Sequence, residues 1–318
     1  MALSQMQVFN EYIMPATIET LGQMVQKFNG ASAGAIRLTT ENFDGDFLQE
    51  SFFAALHSAQ RRVDRYAPQA PVAATDLTQM EINGVKVAGA YGPVRFEPSQ
   101  LTWLQKPTTE GVEVASRFFA AGLLQDLLNS AIAAAVAAIT NQPEAVNDVS
   151  GSGPVTYAAL NGAHAKFGDR SADIVANVMT GPMYHQLIAQ NLDNSSRLFS
   201  ASGVNVVDIL GKAVVVTDAP ALAAAGKDIV LGLTSGAVTV YDGGDMISNI
   251  ETRNGQIRIE TTMQIDYTFG LALKGYSWDK ANGGRSPSNA ALATGANWDK
   301  VVTDIKSTAG VAAIGDAT

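Results

Sequence analysis

The run VEVASRFFAAGLLQDLLNSAIAAAVAAI, residues 112–139, constrains this fold more than any other stretch. Only Glu113, Arg117 and Asp126 carry charge in it, and Gly122 is its one weak breaker. Thr108, Thr109 and Glu110 supply start signals, and Asn141-Gln142-Pro143 supplies a stop. The spacing predicts one helix of roughly 42 Å. A helix with so little polar surface is buried on most sides. Its Ala-rich second half lets other backbones approach closely. Arg117, Asp126 and Asn129 interrupt its apolar part, and Ala inserts weakly into bilayers, so a core helix is expected and no membrane. The N-terminal MALSQMQVFNEY has neither a basic start nor a long apolar core, so no signal peptide is expected.

Around this helix the patterns change abruptly. Residues 17–28 place Ile18, Leu21, Val25 and Phe28 near helical spacing, and Gly30–Ala35 breaks the pattern. Helical spacing resumes over 46–66 with Phe47, Leu48, Phe52, Phe53, Leu56 and Val63. Residues 1–70 therefore read as an arm ordered by something outside itself. Residues 75–106 read as a long β-hairpin, with Ile82, Val85 and Val87 on one limb and Val94, Phe96, Leu101 and Trp103 on the other. Gly89-Ala90-Tyr91-Gly92-Pro93 is its expected turn. Such a ribbon is marginal alone and needs a surface to lie on.

Beyond the long helix, residues 154–234 read as compact α/β. Helices are expected over Val155–Phe167 and Pro182–Leu192. Strands are expected over 173–179, 204–209, 213–217, 228–234 and 237–241, the last two joined at Ser235-Gly236. A turn at Asp242-Gly243-Gly244-Asp245 and a short helical piece lead to a long strand over 256–274. In that strand Ile257, Ile259, Thr261, Met263, Ile265 and Tyr267 share one parity. The tail 277–318 is rich in Gly, Ser and Asn, and NWDKVVTDIK within it reads as a short amphipathic helix carrying Trp298.

Chemistry is sparse. The chain of 318 residues has no Cys, which removes disulfides, thiolate metal sites and Cys nucleophiles together. Its three His, His57, His164 and His185, lack close metal-ligand spacing. No GxxxxGK[ST], strand-linked GxGxxG or GxSxG occurs. Asp44-Gly45-Asp46 and the 242–245 turn each offer two carboxylates, too few for a convincing cation site. No catalytic, cofactor or metal residue is therefore assigned. Lys and Arg number 21 against 30 Asp and Glu, a net charge of −9, which argues against coating nucleic acid but not against surrounding it. A basic trio, Arg61, Arg62 and Arg65, could touch nucleic acid or pair with carboxylates of a neighbour. At 16% charged residues the surface suits a subunit covered by other subunits.

Element order and local patterns together resemble one family. AHAKFGDRS, DIVANVMTGPMYHQLIAQNL and DILGKAVVVTDAPAL look like the axial domain of tailed-bacteriophage major capsid proteins, whose Hong Kong 97-type fold is shared with encapsulin shells. LALKGYSW looks like the closing strand, and SPSNAALATGANWDKV looks like one phage subgroup. The resemblance implies an α+β fold with five parts. These are an N-terminal arm (1–70), an extended β-hairpin loop (71–108), a peripheral domain with a long spine helix (109–150 and 245–268), a compact α/β axial domain (151–244 and 269–280) and a C-terminal tail (281–318). It further implies a non-enzymatic subunit that self-assembles as hexamers and pentamers into an icosahedral virion shell. Double-stranded DNA would be enclosed with few specific contacts. Portal, scaffolding and decoration proteins would be partners, and assembly would occur in the host cytoplasm. Tyr91, Phe96, Leu101, Trp103 and Trp298 are the expected inter-subunit contacts. Lys86 is the only Lys in the expected loop, and no isopeptide cross-link or cleaved propeptide is expected. An encapsulin-like cargo compartment is the nearest alternative. A soluble α/β metal-dependent enzyme using the 242–245 turn is the alternative of another class.

Overall fold

The computed structural model describes residues 3–42, 49–54, 61–66, 68, 71–72, 78–96, 108–195, 211–255, 257 and 259–317. The first half of the chain runs through α1 (Leu3–Ala31), β1 (Ile36–Asn42), β2 (Gln49–Ala54), β3 (Thr78–Asn83), β4 (Val85–Phe96), α2 (Thr108–Thr140), β5 (Val146–Asp148), α3 (Tyr157–Ala165), β6 (Ile174–Met179) and α4 (Gly181–Ser195). The second half adds β7 (Ala213–Val216), β8 (Ala223–Ala224), β9 (Lys227–Thr234), β10 (Val238–Asp242), β11 (Ile247–Asn254), β12 (Ile259–Leu273), β13 (Tyr276–Trp278), α5 (Asn289–Leu292), β14 (Trp298–Lys300) and β15 (Gly310–Asp316).

Two sheets share the long helix α2. The first is built on β12, which pairs with β4 along one side and with β11 and then β10 along the other, all antiparallel. β1 adds in parallel outside β10. Alternation along β12 decides its faces: Met263, Ile265, Phe269 and Leu271 are buried, while Gln264 and Asp266 are exposed. The Ala-rich end of α2 packs in one hydrophobic cluster with Ile36, Val87, Val238 and Leu271. Small side chains there bring helix and sheet close together.

The second sheet has the order β5-β15-β9-β6-β7, with β8 against the start of β9. Leu160 of α3, Phe167 just after it, and Met183 and Leu187 of α4 pack with Val230, Val311 and Ala313 on one face. Val178, Leu231, Leu233 and Ala312 join the α2 cluster on the other. β9 therefore reads as a nearly unbroken apolar run, because both of its faces are covered. At Gly310 a Cβ would fall 2.1 Å from the Gly232 carbonyl oxygen, so only glycine fits there.

Several expectations are corrected here. β2 replaces the helix expected over 46–66, because its pairing with β3 outweighs local spacing. The two-stranded ribbon is thus β2–β3, running Gln49↔Asn83 to Ala54↔Thr78, and not a hairpin turning at 89–93. Residues 89–93 lie inside β4 instead. Gly89 is there because a Cβ would sit 2.5 Å from the Tyr267 ring, and Gly92 has φ 106° where the β4–β12 register shifts. β11 replaces the short helical piece after residue 245. β9 and β10 do not pair with each other but enter different sheets. No α-helix forms over 297–306: β14 pairs with β13 at Trp298–Lys300, and a short 3-10 turn, Ile305–Ser307, enters the range from its far end. The segment expected as a tail contains β15, an interior strand of the second sheet.

Nor is the region before residue 70 simply an arm. α1 packs along α2, and Ile36 and Leu38 lie in the core. Asn29 ties the two together: its Nδ2 donates to the Leu38 carbonyl at 2.8 Å, and the Leu38 N–H donates to its Oδ1 at 3.0 Å. The strand expected at 204–209 lies outside the described residues.

Candidate assembly surfaces

One aromatic contact links β4 of the first sheet to α2. Tyr91 on β4 meets Phe119 on α2 edge-to-face, with ring centroids 5.3 Å apart. Tyr91 is 48% exposed and the neighbouring Phe118 76% exposed, and Val94 on β4 is also exposed. Single exposed apolar residues are ordinary, and a contiguous exposed patch is what distinguishes an interaction surface. Of the other expected contacts, Phe96 ends β4, while Leu101 and Trp103 lie outside the described residues.

Trp298 belongs to a different environment, and this corrects its expected role. It is 0% exposed within its own chain, packs edge-to-face on Trp278 at 4.8 Å, and donates from Nε1 to the Leu292 carbonyl at 3.0 Å. A side chain so enclosed is core, and no surface of it is left for a neighbour.

The basic trio does not sit on a helix. Arg61, Arg62 and Arg65 occupy irregular, exposed backbone in the connection between β2 and β3. Among the described residues no carboxylate pairs with them. The ribbon and its arginines were invisible as a unit in the sequence, because the pairing of 49–54 with 78–83 spans a connection without regular periodicity.

The acidic turn of 242–245 is occupied by protein contacts. Asp242 Oδ1 accepts from the Gly244 N–H at 3.1 Å, and Asp245 bonds Thr268 and lies 3.5 Å from Lys86 Nζ. Asp44 and Asp46 lie outside the described residues, as does His57. Among the described residues no group of three or more metal-ligating side chains converges. His185 is exposed beside Tyr184, whereas His164 is buried with Nε2 2.9 Å from Asn177 Oδ1. Burial pushes the pKa of that imidazole below its ordinary value, opposed by the Asn177 bond and reinforced by the Lys212 charge. Burial also raises the Tyr276 phenol to about 12. These shifts come from packing and not from a converging set of reactive groups.

The helix window 116–140 is long and apolar enough to cross a bilayer by length and composition. It is largely covered instead, by α1 on one flank and both sheets at its C-terminal half.

Sequence comparison matches residues 5–312 to the major capsid protein 13-like family. The chain belongs to that family. A comparison with curated proteins finds no match. Among solved structures, the capsid asymmetric unit of cyanophage Pam1 is similar at 13% identity and TM-score 0.52, covering 89% of this chain and 88% of that one. A structure from Microbacterium phage Oxtober96 is similar at 15% identity and TM-score 0.51, covering 76% and 84%. At these identities the likeness speaks to fold. The fold is α+β and of the tailed-phage, Hong Kong 97-type capsid class, and this major capsid protein is a structural subunit of a phage head.

Proposed function

We propose that this major capsid protein assembles as hexamers and pentamers into an icosahedral head that encloses double-stranded DNA. The observation that carries the reading is the pair of surfaces left incomplete in one chain. Among the described residues the β2–β3 ribbon has no third strand, and Tyr91 on β4 and Phe118 on α2 stand exposed. A two-stranded ribbon is marginal in water, so a neighbour's surface would complete it. In this reading α2 is the spine helix, the first sheet belongs to the peripheral domain and the second sheet to the axial domain. The ribbon, not residues 71–108, is the extended loop.

The role is structural and not catalytic. With a net charge of −9, most of the lumenal surface would repel DNA, leaving it mobile inside the shell. Arg61, Arg62 and Arg65 at the ribbon's end pair with carboxylates of another subunit. Portal and decoration proteins complete the head in the host cytoplasm, with scaffolding guiding the size of a shell that the subunit can close by itself. Expression of the protein alone, followed by sedimentation and negative-stain imaging, tests the reading. Closed shells are expected. A stable monomer or dimer at all concentrations would overturn it.

A further inference from the structure

The β2–β3 ribbon leaves the body of the subunit at Asn83–Gly84, and one residue of the body meets it there. Ser277 Oγ accepts from the Asn83 backbone N–H at 3.0 Å and from Asn83 Nδ2 at 3.2 Å. These two hydrogen bonds tie the end of the ribbon to the body of the chain. The two partners differ in rigidity. Ser277 lies between Tyr276 and Trp278, both fully buried, and Trp278 is locked against Trp298. Asn83 is the last residue of a ribbon whose strands have only each other as partners.

The contact is also incomplete. Asn83 Oδ1 is shut away from solvent and has no donor. Turning the amide over would not repair it, since one hydroxyl would then serve Oδ1 and leave Nδ2 alone. A clasp of this kind holds a direction without gripping strongly. Beyond it, Gly84 is buried and the chain switches from the ribbon into β4 of the first sheet.

We propose that the Asn83–Ser277 clasp is the pivot that sets the angle at which the ribbon leaves the subunit, and through it the angle between neighbouring subunits in the shell. The proposal rests on the assembly reading above. A ribbon that reaches a neighbour transmits a small angular error at its root into a large displacement at its end. Six residues of strand span roughly 20 Å, so a tilt of about 10° moves the far end by more than 3 Å. Subunit curvature, and with it particle diameter, then becomes sensitive to one pair of side chains far from the contact itself.

The test compares wild type with Ser277→Ala and, from the ribbon side, Asn83→Ala. Three quantities are read: particle diameter by imaging, subunit melting temperature below the assembly concentration, and hydrogen exchange at the Asn83 amide. Both variants are expected to melt close to wild type and to exchange that amide about tenfold faster. They are expected to give a broadened diameter distribution with open or tubular products. Uniform particles of wild-type diameter, from variants whose Asn83 amide has lost its protection, would overturn the pivot. Unchanged protection in Ser277→Ala would overturn the clasp itself. If wild type forms no closed particles, the assembly reading falls first and the pivot with it. Variants that fail to fold would show that the pair holds the body together and would overturn a purely angular role.

Discussion

Replacing Trp298 by alanine should unfold this subunit at a markedly lower temperature, although Trp298 lies in a stretch with little regular structure. The indole is fully enclosed, so truncation opens a large cavity, and such substitutions cost about 3–5 kcal/mol. The edge-to-face contact with Trp278 adds up to about 1 kcal/mol. The Leu292 carbonyl loses its donor as well. These effects overlap, so about 4 kcal/mol in total is the working figure. At roughly 2 °C per kcal/mol for a chain of this size, the melting temperature should fall by about 8 °C. Trp298→Phe keeps most of the apolar volume and loses only the N–H, and should lie less than halfway to the alanine variant. The measurement is thermal and urea denaturation of unassembled subunit, because assembly would itself raise the apparent stability. A Trp298→Ala protein that melts within about 1 °C of wild type would refute the reasoning. It would mean that the β13–β14 corner contributes nothing to the body.

Other outcomes follow from individual contacts. His164 is buried and neutral, with a folded pKa below the unfolded 6.5, so stability should hold above that pH and decline as pH drops below it. Denaturation midpoints at pH 7 and pH 5 should therefore differ less in His164→Gln than in wild type, and an equal difference would argue against this histidine as the source. Tyr267 donates to Asp126 Oδ2 at 2.5 Å, linking the first sheet to α2, and burial together with that carboxylate raises its phenol pKa. Tyr267→Phe should cost about 1.5–3 kcal/mol in urea denaturation, and a neutral result would show the bond to be idle. Deleting residues 310–318 removes β15 from between β5 and β9 and should abolish folding of the second sheet. Native-like circular dichroism from that truncation would refute its role as an interior strand.

Much of the architecture could be read from residues 112–140 and 256–274 alone. A long, sparsely charged helix and a long alternating strand report their own burial, because period and polarity are local properties. The same holds for α3, β6 and α4, whose ends carry their own signals. β2 could not be recognised this way. Its residues fit helical spacing, and only hydrogen bonds to β3, across an irregular connection, make them a strand. β15 was hidden for a related reason: GVAAIGD is short and small, and its strand character depends on lying between β5 and β9.

Glycines misled in the same manner. Gly89, Gly92 and Pro93 carry the chemistry of a turn, yet Gly89 is there for the Tyr267 ring and Gly92 for an irregularity in the β4–β12 register. What the sequence by itself determined was the inventory: a buried central helix, apolar strands, an absence of cysteine and an acidic balance. Only the tertiary structure decided which strands share a sheet, that the ribbon is 49–83, and that Trp298 faces inward. Those choices depend on contacts between residues far apart in the chain, where the energy of pairing and close packing overrides local preference.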